Sequence, residues 1–184
     1  MIILYLYSMK KKNAKSVKQP EFSRPVEKYF YELDGAFGAG SKSSYAVCLA
    51  FAFFGIMGLI WMIPFPQFDF LVKLNMHTFL NWGSFFIAIA IYLYLKLSPT
   101  LSYAILFSIA AMSFFIVQLE YVERDGGPSV VLVCTMISII SLLVLWVLAK
   151  RESKPVSGDD FIKLLTVGPI WLWSKVFDKL KIKY

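Results

Sequence analysis

Four stretches of the chain, at about 45–63, 79–95, 101–119 and 129–149, run for 17 to 21 residues without a single Asp, Glu, Lys or Arg. Wound as helices at about 1.5 Å per residue, such runs match the thickness of a bilayer's hydrocarbon core. One central Lys or Asp would cost about 2.5–3.5 kcal/mol on insertion, and none of the four carries one. Hydrocarbon offers the backbone no hydrogen-bond partners, so each run must satisfy its own N–H and C=O groups as a helix. The expectation is an all-α integral membrane protein: a bundle of four transmembrane helices with interfacial amphipathic helices at both ends. The composition agrees, with 58% of the 184 residues hydrophobic and 17% charged, where a soluble domain is nearer half and a quarter.

The length suits a single membrane domain, 25–184, behind a flexible basic segment, 1–24. Residues 1–8 are apolar, but too few for a signal peptide, and the lysines follow them where they should precede. Either Met1 or Met9 could serve as the start. After Pro25, the run from Val26 to Leu33 suits a short amphipathic helix on the membrane surface, and Gly35, Gly38 and Gly40 interrupt it. Pro64 and Pro66 end the first crossing. The turn Leu97-Ser98-Pro99-Thr100 forces the third crossing antiparallel to the second, and Glu120–Asp125 forms a loop before the fourth.

The net charge is +7, and its distribution decides the topology. Of the 19 Lys and Arg residues, eight precede residue 45, eight follow residue 149, and three lie between. Cytoplasmic flanks attract such an excess, so both termini are placed in the cytoplasm, as an even number of crossings requires. The same charge favours anionic lipid over nucleic acid, which is not expected as a partner. A composition rich in Ile, Phe and Lys favours a bacterial inner membrane over an endoplasmic reticulum.

Beyond Lys154-Pro155 the tail presents Asp159 and Asp160, then an apolar run from Phe161 to Trp173 that is too short to cross. Ser157 can cap a helix there, with both aspartates in its first turn. The C-terminal helix is expected over about 159–181, interfacial or re-entrant, kinked or broken at Gly168-Pro169. Past the break, Ile170, Trp173, Val176 or Phe177, and Leu180 share an apolar face, and Ser174, Lys175, Asp178 and Lys179 the polar one.

Few residues invite chemistry. Glu32 and Asp34 before the first crossing, Glu152 after the last, and Asp159 and Asp160 all gather on the inferred cytoplasmic side, where a hard cation could use them. Asp159, Asp160, Glu32 and Asp34 are therefore the candidate catalytic residues, although capping for the tail pair and solvation for the others is the favoured account. The single histidine, His77, lies in the outer loop and is read as an interfacial polar residue rather than a ligand. Cys48 and Cys134 fall inside apolar runs as small buried hydrophobes. Asn81, at a crossing entrance, suits helix packing or a lipid headgroup, and Gly55 and Gly58 suit close helix contact. No nucleophile has a histidine base, and no ionisable group sits in mid-membrane as a coupled transporter would need.

Three stretches carry a family resemblance. Gly58-Leu59-Ile60-Trp61-Met62-Ile63-Pro64 closes the first crossing, and Asn81-Trp82 opens the second, which closes with Tyr92-Leu93-Tyr94-Leu95-Lys96-Leu97-Ser98-Pro99. The third combines Lys154-Pro155 and Asp159-Asp160 with Leu164-Leu165-Thr166-Val167-Gly168-Pro169-Ile170-Trp171. In this order they resemble the fungal 2-hydroxy fatty acid dioxygenase family and its bacterial relatives, over most of the chain from about Tyr29. The resemblance implies iron held by histidines near Ala36 and Tyr45 and by a Gly-His pair about seven or eight residues before Lys154-Pro155. This chain has no histidine at those places, and Val147 and Leu148 stand where the pair would be. No iron site or other cofactor is therefore predicted. The expectation is a non-catalytic module on that scaffold, binding membrane lipids or other membrane proteins. The alternative is an active lipid-modifying enzyme that uses the cytoplasmic carboxylates or another cofactor.

Overall fold

A computed structural model describes residues 22–66, 73 and 80–184. The residues up to Glu21, with the question of Met1 or Met9, and the loop that holds His77 lie outside the described residues, as does the predicted start of the second crossing at Phe79. The described residues form seven helices and no strand: α1 (Pro25–Ala36), α2 (Lys42–Trp61), α3 (Trp82–Leu97), α4 (Pro99–Arg124), α5 (Val130–Lys150), α6 (Gly158–Thr166) and α7 (Gly168–Lys179). Helices α2, α4 and α5 are long and apolar enough to cross a membrane. Helix α3 is equally apolar but has 16 residues, about 24 Å of rise. The described residues are thus those of an all-helical membrane protein with three helices of spanning length, where four crossings of 17 to 21 residues were expected.

The long helices run alternately up and down. At one end Gly83 meets Trp61, and Glu123 of α4 accepts the Val130 N–H that opens α5 at 3.0 Å. At the other, hereafter the tail end, the Tyr94 hydroxyl donates to the Thr166 carbonyl at 2.8 Å, and Glu152 after α5 meets Gly40 before α2. Helices α1, α6 and α7 cluster at that end.

The tightest seam joins α2 to α5. Along α5 the buried residues Cys134, Ser138, Ser141, Leu145 and Ala149 repeat every three or four positions, and α2 answers with Ala52, Gly55 and Gly58. A Cβ on Gly55 would lie 2.7 Å from the Cys134 carbonyl oxygen and strike the Ser138 hydroxyl; one on Gly58 would strike Cys134 Sγ. Small residues let the backbones approach, and dispersion over that seam replaces the hydrophobic drive that lipid does not supply.

Several boundaries differ from the sequence expectation. Helix α4 continues through Arg124, so Glu120, Glu123 and Arg124 belong to its last turns rather than to a loop; at 26 residues it is about 39 Å long and carries those charges past the hydrocarbon. Gly35 does not interrupt α1, which ends only at Ala36. The Asn81 side chain also caps α3, accepting from the Ser84 N–H at 2.8 Å. The tail helix is broken at Gly168-Pro169, as its sequence suggests, into α6 and α7. Pro169 has no N–H to continue α6, which closes with Val167 N–H on the Lys163 carbonyl, and a Cβ on Gly168 would come within 2.9 Å of Leu49 on α2.

Of the apolar face expected on α7, Ile170 is buried and Trp173 and Phe177 pack against the core, while Val176 and Leu180 are exposed; Trp171 and Ser174, which lie off that face, are buried as well. The indole N–H of Trp173 donates to Ser108 Oγ at 3.2 Å. Ser108 lies nine residues beyond Pro99, about 13 Å along α4. Helix α7 is therefore set into the bundle against α2 and α4. The apolar face of α1, Val26, Phe30 and Leu33, likewise turns into the protein core.

Candidate functional site

The polar chemistry of the described residues concentrates at the tail end, in three clasps that tie distant parts of the chain together and one that caps a helix locally. In the first, Glu152 accepts from the Tyr45 hydroxyl at 2.7 Å and from the Ala39 and Gly40 N–H groups at 3.0 Å each. Tyr45 is fully buried, so this carboxylate is its phenol's acceptor inside the protein. Gly40 has to be glycine there, because a Cβ would strike Glu152 Oε1 and come within 2.7 Å of the Tyr45 ring.

The second clasp centres on Asp34. Its Oδ1 accepts from the indole N–H of the fully buried Trp171 at 3.1 Å, and its Oδ2 from Lys175 Nζ at 2.6 Å. Lys42 Nζ lies 4.0 Å from Oδ1 and 4.5 Å from the centroid of the Trp171 ring, and also donates to the Phe37 carbonyl. One aspartate and one indole thus gather a lysine from α2 and a lysine from α7, with cation–π attraction adding to the ion pairs.

The other two clasps are simpler. Glu32 of α1 accepts from Lys163 of α6 at 2.7 Å, and this bond pushes the Lys163 ammonium above its usual range. The pair is half-exposed, which limits it to about 0–1 kcal/mol. Ser157 and Asp160 cap α6 reciprocally: the Ser157 hydroxyl accepts from the Asp160 N–H at 3.1 Å and donates to Asp160 Oδ2 at 2.7 Å.

These contacts locate each residue singled out by sequence. Asp160 caps α6, as the sequence predicts. Asp159 shares that first turn on the exposed surface. Glu32 and Asp34 are not simply solvated; each holds a lysine of the tail. The candidate carboxylates are not brought together on one centre, and among the described residues no group of three His, Cys, Asp or Glu side chains could hold a metal ion. Cys48 and Cys134 are free thiols.

Sequence reasoning missed a slot of about 330 Å³ between α2, α4 and α7. Leu49, Phe53, Ile105, Ile109, Met112 and Leu172 line it, while Lys42, Lys175 and Lys179 stand around its mouth. Its size is within the range of ordinary ligand pockets, and its polarity is graded from an apolar interior to a cationic rim. One signal was present in the sequence: Trp171, Lys175 and Lys179 recur every four residues and so share a stripe of α7.

Helices of spanning length around such a slot define an integral membrane protein with an internal amphiphilic cavity. Comparison with protein-family models, with curated proteins and with solved structures finds no match to this chain.

Proposed function

We propose that this protein is a four-crossing membrane protein with both termini cytoplasmic, working as a non-catalytic lipid-binding module. The observation that carries the reading is the slot itself, apolar within and ringed by Lys42, Lys175 and Lys179. An acyl chain inside is favoured by about 0.8 kcal/mol per buried methylene, and an anionic headgroup at the mouth meets the lysines. Connectivity supports a fourth crossing: α3 leaves the end where α2 finishes and returns the chain to the end where α4 begins. Tilting and local thinning of the bilayer accommodate its shorter length. The tail end carries most of the basic residues, which supports a cytoplasmic location, and the composition favours a bacterial inner membrane.

The scaffold is read as that of the fatty acid dioxygenase-like family, with its chemistry replaced. Tyr45 stands near one of the places where the resemblance calls for an iron-ligating histidine. Its hydroxyl bonds Glu152, the carboxylate nearest another of those places. The carboxylates Glu32, Asp34, Glu152 and Asp160 are all engaged in holding the tail, which supports a structural rather than a catalytic role for them.

The test is to extract the protein with its surrounding bilayer, identify the retained lipids, quantify iron, and assay chain shortening of a 2-hydroxy fatty acid. Retained lipid that disappears in Ala46→Trp and in Val176→Trp, two variants that fill the slot from opposite walls, is the expected result. Stoichiometric iron with turnover would replace this reading with the enzymatic one.

A further inference from the structure

We infer that the slot takes a lipid whose headgroup is a phosphate monoester, held with one acyl chain inside and the phosphate among Lys42, Lys175 and Lys179; this rests on the lipid-binding function proposed above. The first argument is capacity. A slot of about 330 Å³ with a mainly apolar lining accommodates an acyl chain. The remainder of a two-chain lipid would stay in the bilayer beside α7.

The second argument is the donors. An ammonium group has three N–H donors. Lys42 spends one on the Phe37 carbonyl and Lys175 one on Asp34, so each keeps two, and Lys179 has no hydrogen-bond or ion-pair partner among the described residues. Three ammonium groups around one mouth fit the three terminal oxygens of a phosphate monoester. A phosphodiester or a carboxylate offers only two unesterified oxygens.

The third argument is competition. The rim contains its own anion: Asp34 sits 2.6 Å from Lys175 and 4.0 Å from Lys42, while Glu152 and Asp178 lie nearby. A singly charged headgroup only matches what Asp34 already supplies. A phosphate monoester carries about −1.5 to −2 near neutral pH and therefore gains by recruiting the same lysines.

The experiment is lipid binding to the full-length protein in nanodiscs by native mass spectrometry, comparing phosphatidic acid with phosphatidylglycerol of the same acyl chains. At pH 7.5 phosphatidic acid is expected to bind roughly tenfold tighter. At pH 5.5, below the second phosphate pKa near 6, the preference should shrink to about twofold. Phosphatidylglycerol stays singly charged throughout and reports any change in the protein's own groups. Lys179→Gln should weaken phosphatidic acid about fivefold, the effect of one lysine near a headgroup, and weaken phosphatidylglycerol less. Equal binding of the two lipids at pH 7.5, or a preference unchanged at pH 5.5, overturns the phosphate monoester while leaving lipid binding in place. If neither lipid binds and slot-filling Ala46→Trp changes nothing, both readings fail. If millimolar inorganic phosphate displaces phosphatidic acid as well as an equal concentration of its soluble short-chain form, the acyl chain contributes nothing and the lipid assignment is overturned.

Discussion

Removing the Glu152 carboxylate should unlatch the loop before α2 from the end of α5, and the size of the effect can be worked from three hydrogen bonds. Two of the donors, the N–H groups of Ala39 and Gly40, lie in a loop that water can reach, so their loss is largely compensated. The third donor is the hydroxyl of Tyr45, which is fully buried; leaving it without an acceptor costs about 1–3 kcal/mol. Glu152→Ala should therefore destabilise by about 2–3 kcal/mol. Tyr45→Phe, which leaves the carboxylate its two amide donors, should cost about 1–2 kcal/mol. The double variant should lose less than the sum, with a coupling energy of about 1–1.5 kcal/mol, roughly a tenfold change in the unfolding equilibrium. Glu152→Gln separates charge from shape. If its carbonyl replaces Oε1 it still accepts from Tyr45 and Gly40, but its NH₂ then faces the Ala39 N–H, donor against donor. Equilibrium unfolding in mixed micelles, followed by far-UV circular dichroism, measures all four proteins. Strict additivity of Tyr45→Phe and Glu152→Ala, with coupling below about 0.5 kcal/mol, would refute the claim that this bond is formed inside the protein.

Other regions offer independent checks. Gly55→Leu should pry α2 from α5 and cost more than about 2 kcal/mol, whereas Ser138→Ala across the seam, whose hydroxyl has no partner among the described residues, should be neutral or stabilising; the same unfolding assay ranks them. In the tail, Asp160→Ala should destabilise α6 by about 0.5–2 kcal/mol through its lost cap, while Asp159→Asn should change little, as hydrogen exchange of the α6 amides will show. The pH dependence has a definite sign at the Lys163–Glu32 clasp and at Glu27, whose carboxylate accepts from Arg24 Nε and from the Ser23 hydroxyl at 3.0 Å each at the start of α1. Lys163 titrates above its ordinary value, so its bond to Glu32 contributes fully below about pH 10.5 and is lost only as the pH rises past the raised value. Glu27 titrates below its ordinary value because of its bonds to Arg24 and Ser23, so its contribution is present above pH 4.5 and lost as the pH falls further. Exchange at the start of α1 should therefore be flat from pH 6 to 9 after correction for intrinsic rates, and accelerate below about pH 4.

The long helices were legible because their constraint is local: a backbone in hydrocarbon must bond to itself, and only runs such as 129–149 can do so. The antiparallel turn at Ser98-Pro99 and the small residues Gly55 and Gly58 were legible for a similar reason, since a short connection and a missing side chain act where they stand. The clasps were not. Asp34 and Lys175 are 141 residues apart and Tyr45 and Glu152 are 107 apart, and nothing in either neighbourhood specifies the other. Helix α7 shows the difficulty most plainly. Its period allows an apolar arc through Ile170, Trp173, Phe177 and Leu180, and hydrophobicity alone selects it. The protein buries Ile170, Trp171 and Ser174 because Asp34 meets the Trp171 indole there and the small Ser174, whose hydroxyl closes on the Trp171 carbonyl at 2.7 Å, leaves room for close packing.

The orientation of α7 also bears on which kind of ligand the tail end can hold, because it brings both the Trp171 indole and Lys175 to Asp34. With Trp171 inward, Asp34 is bonded on both oxygens and Glu32, Glu152 and Asp160 are each bonded elsewhere. The oxygens not engaged in these bonds, Glu32 Oε1 and Asp160 Oδ1 among them, are not gathered into any group of three metal-ligating side chains among the described residues. An anion need break none of these bonds, because Lys42, Lys175 and Lys179 retain N–H donors that no group among the described residues uses. The contacts that engage both oxygens of Asp34 thus also hold Lys175 and Lys42 beside the slot that both line.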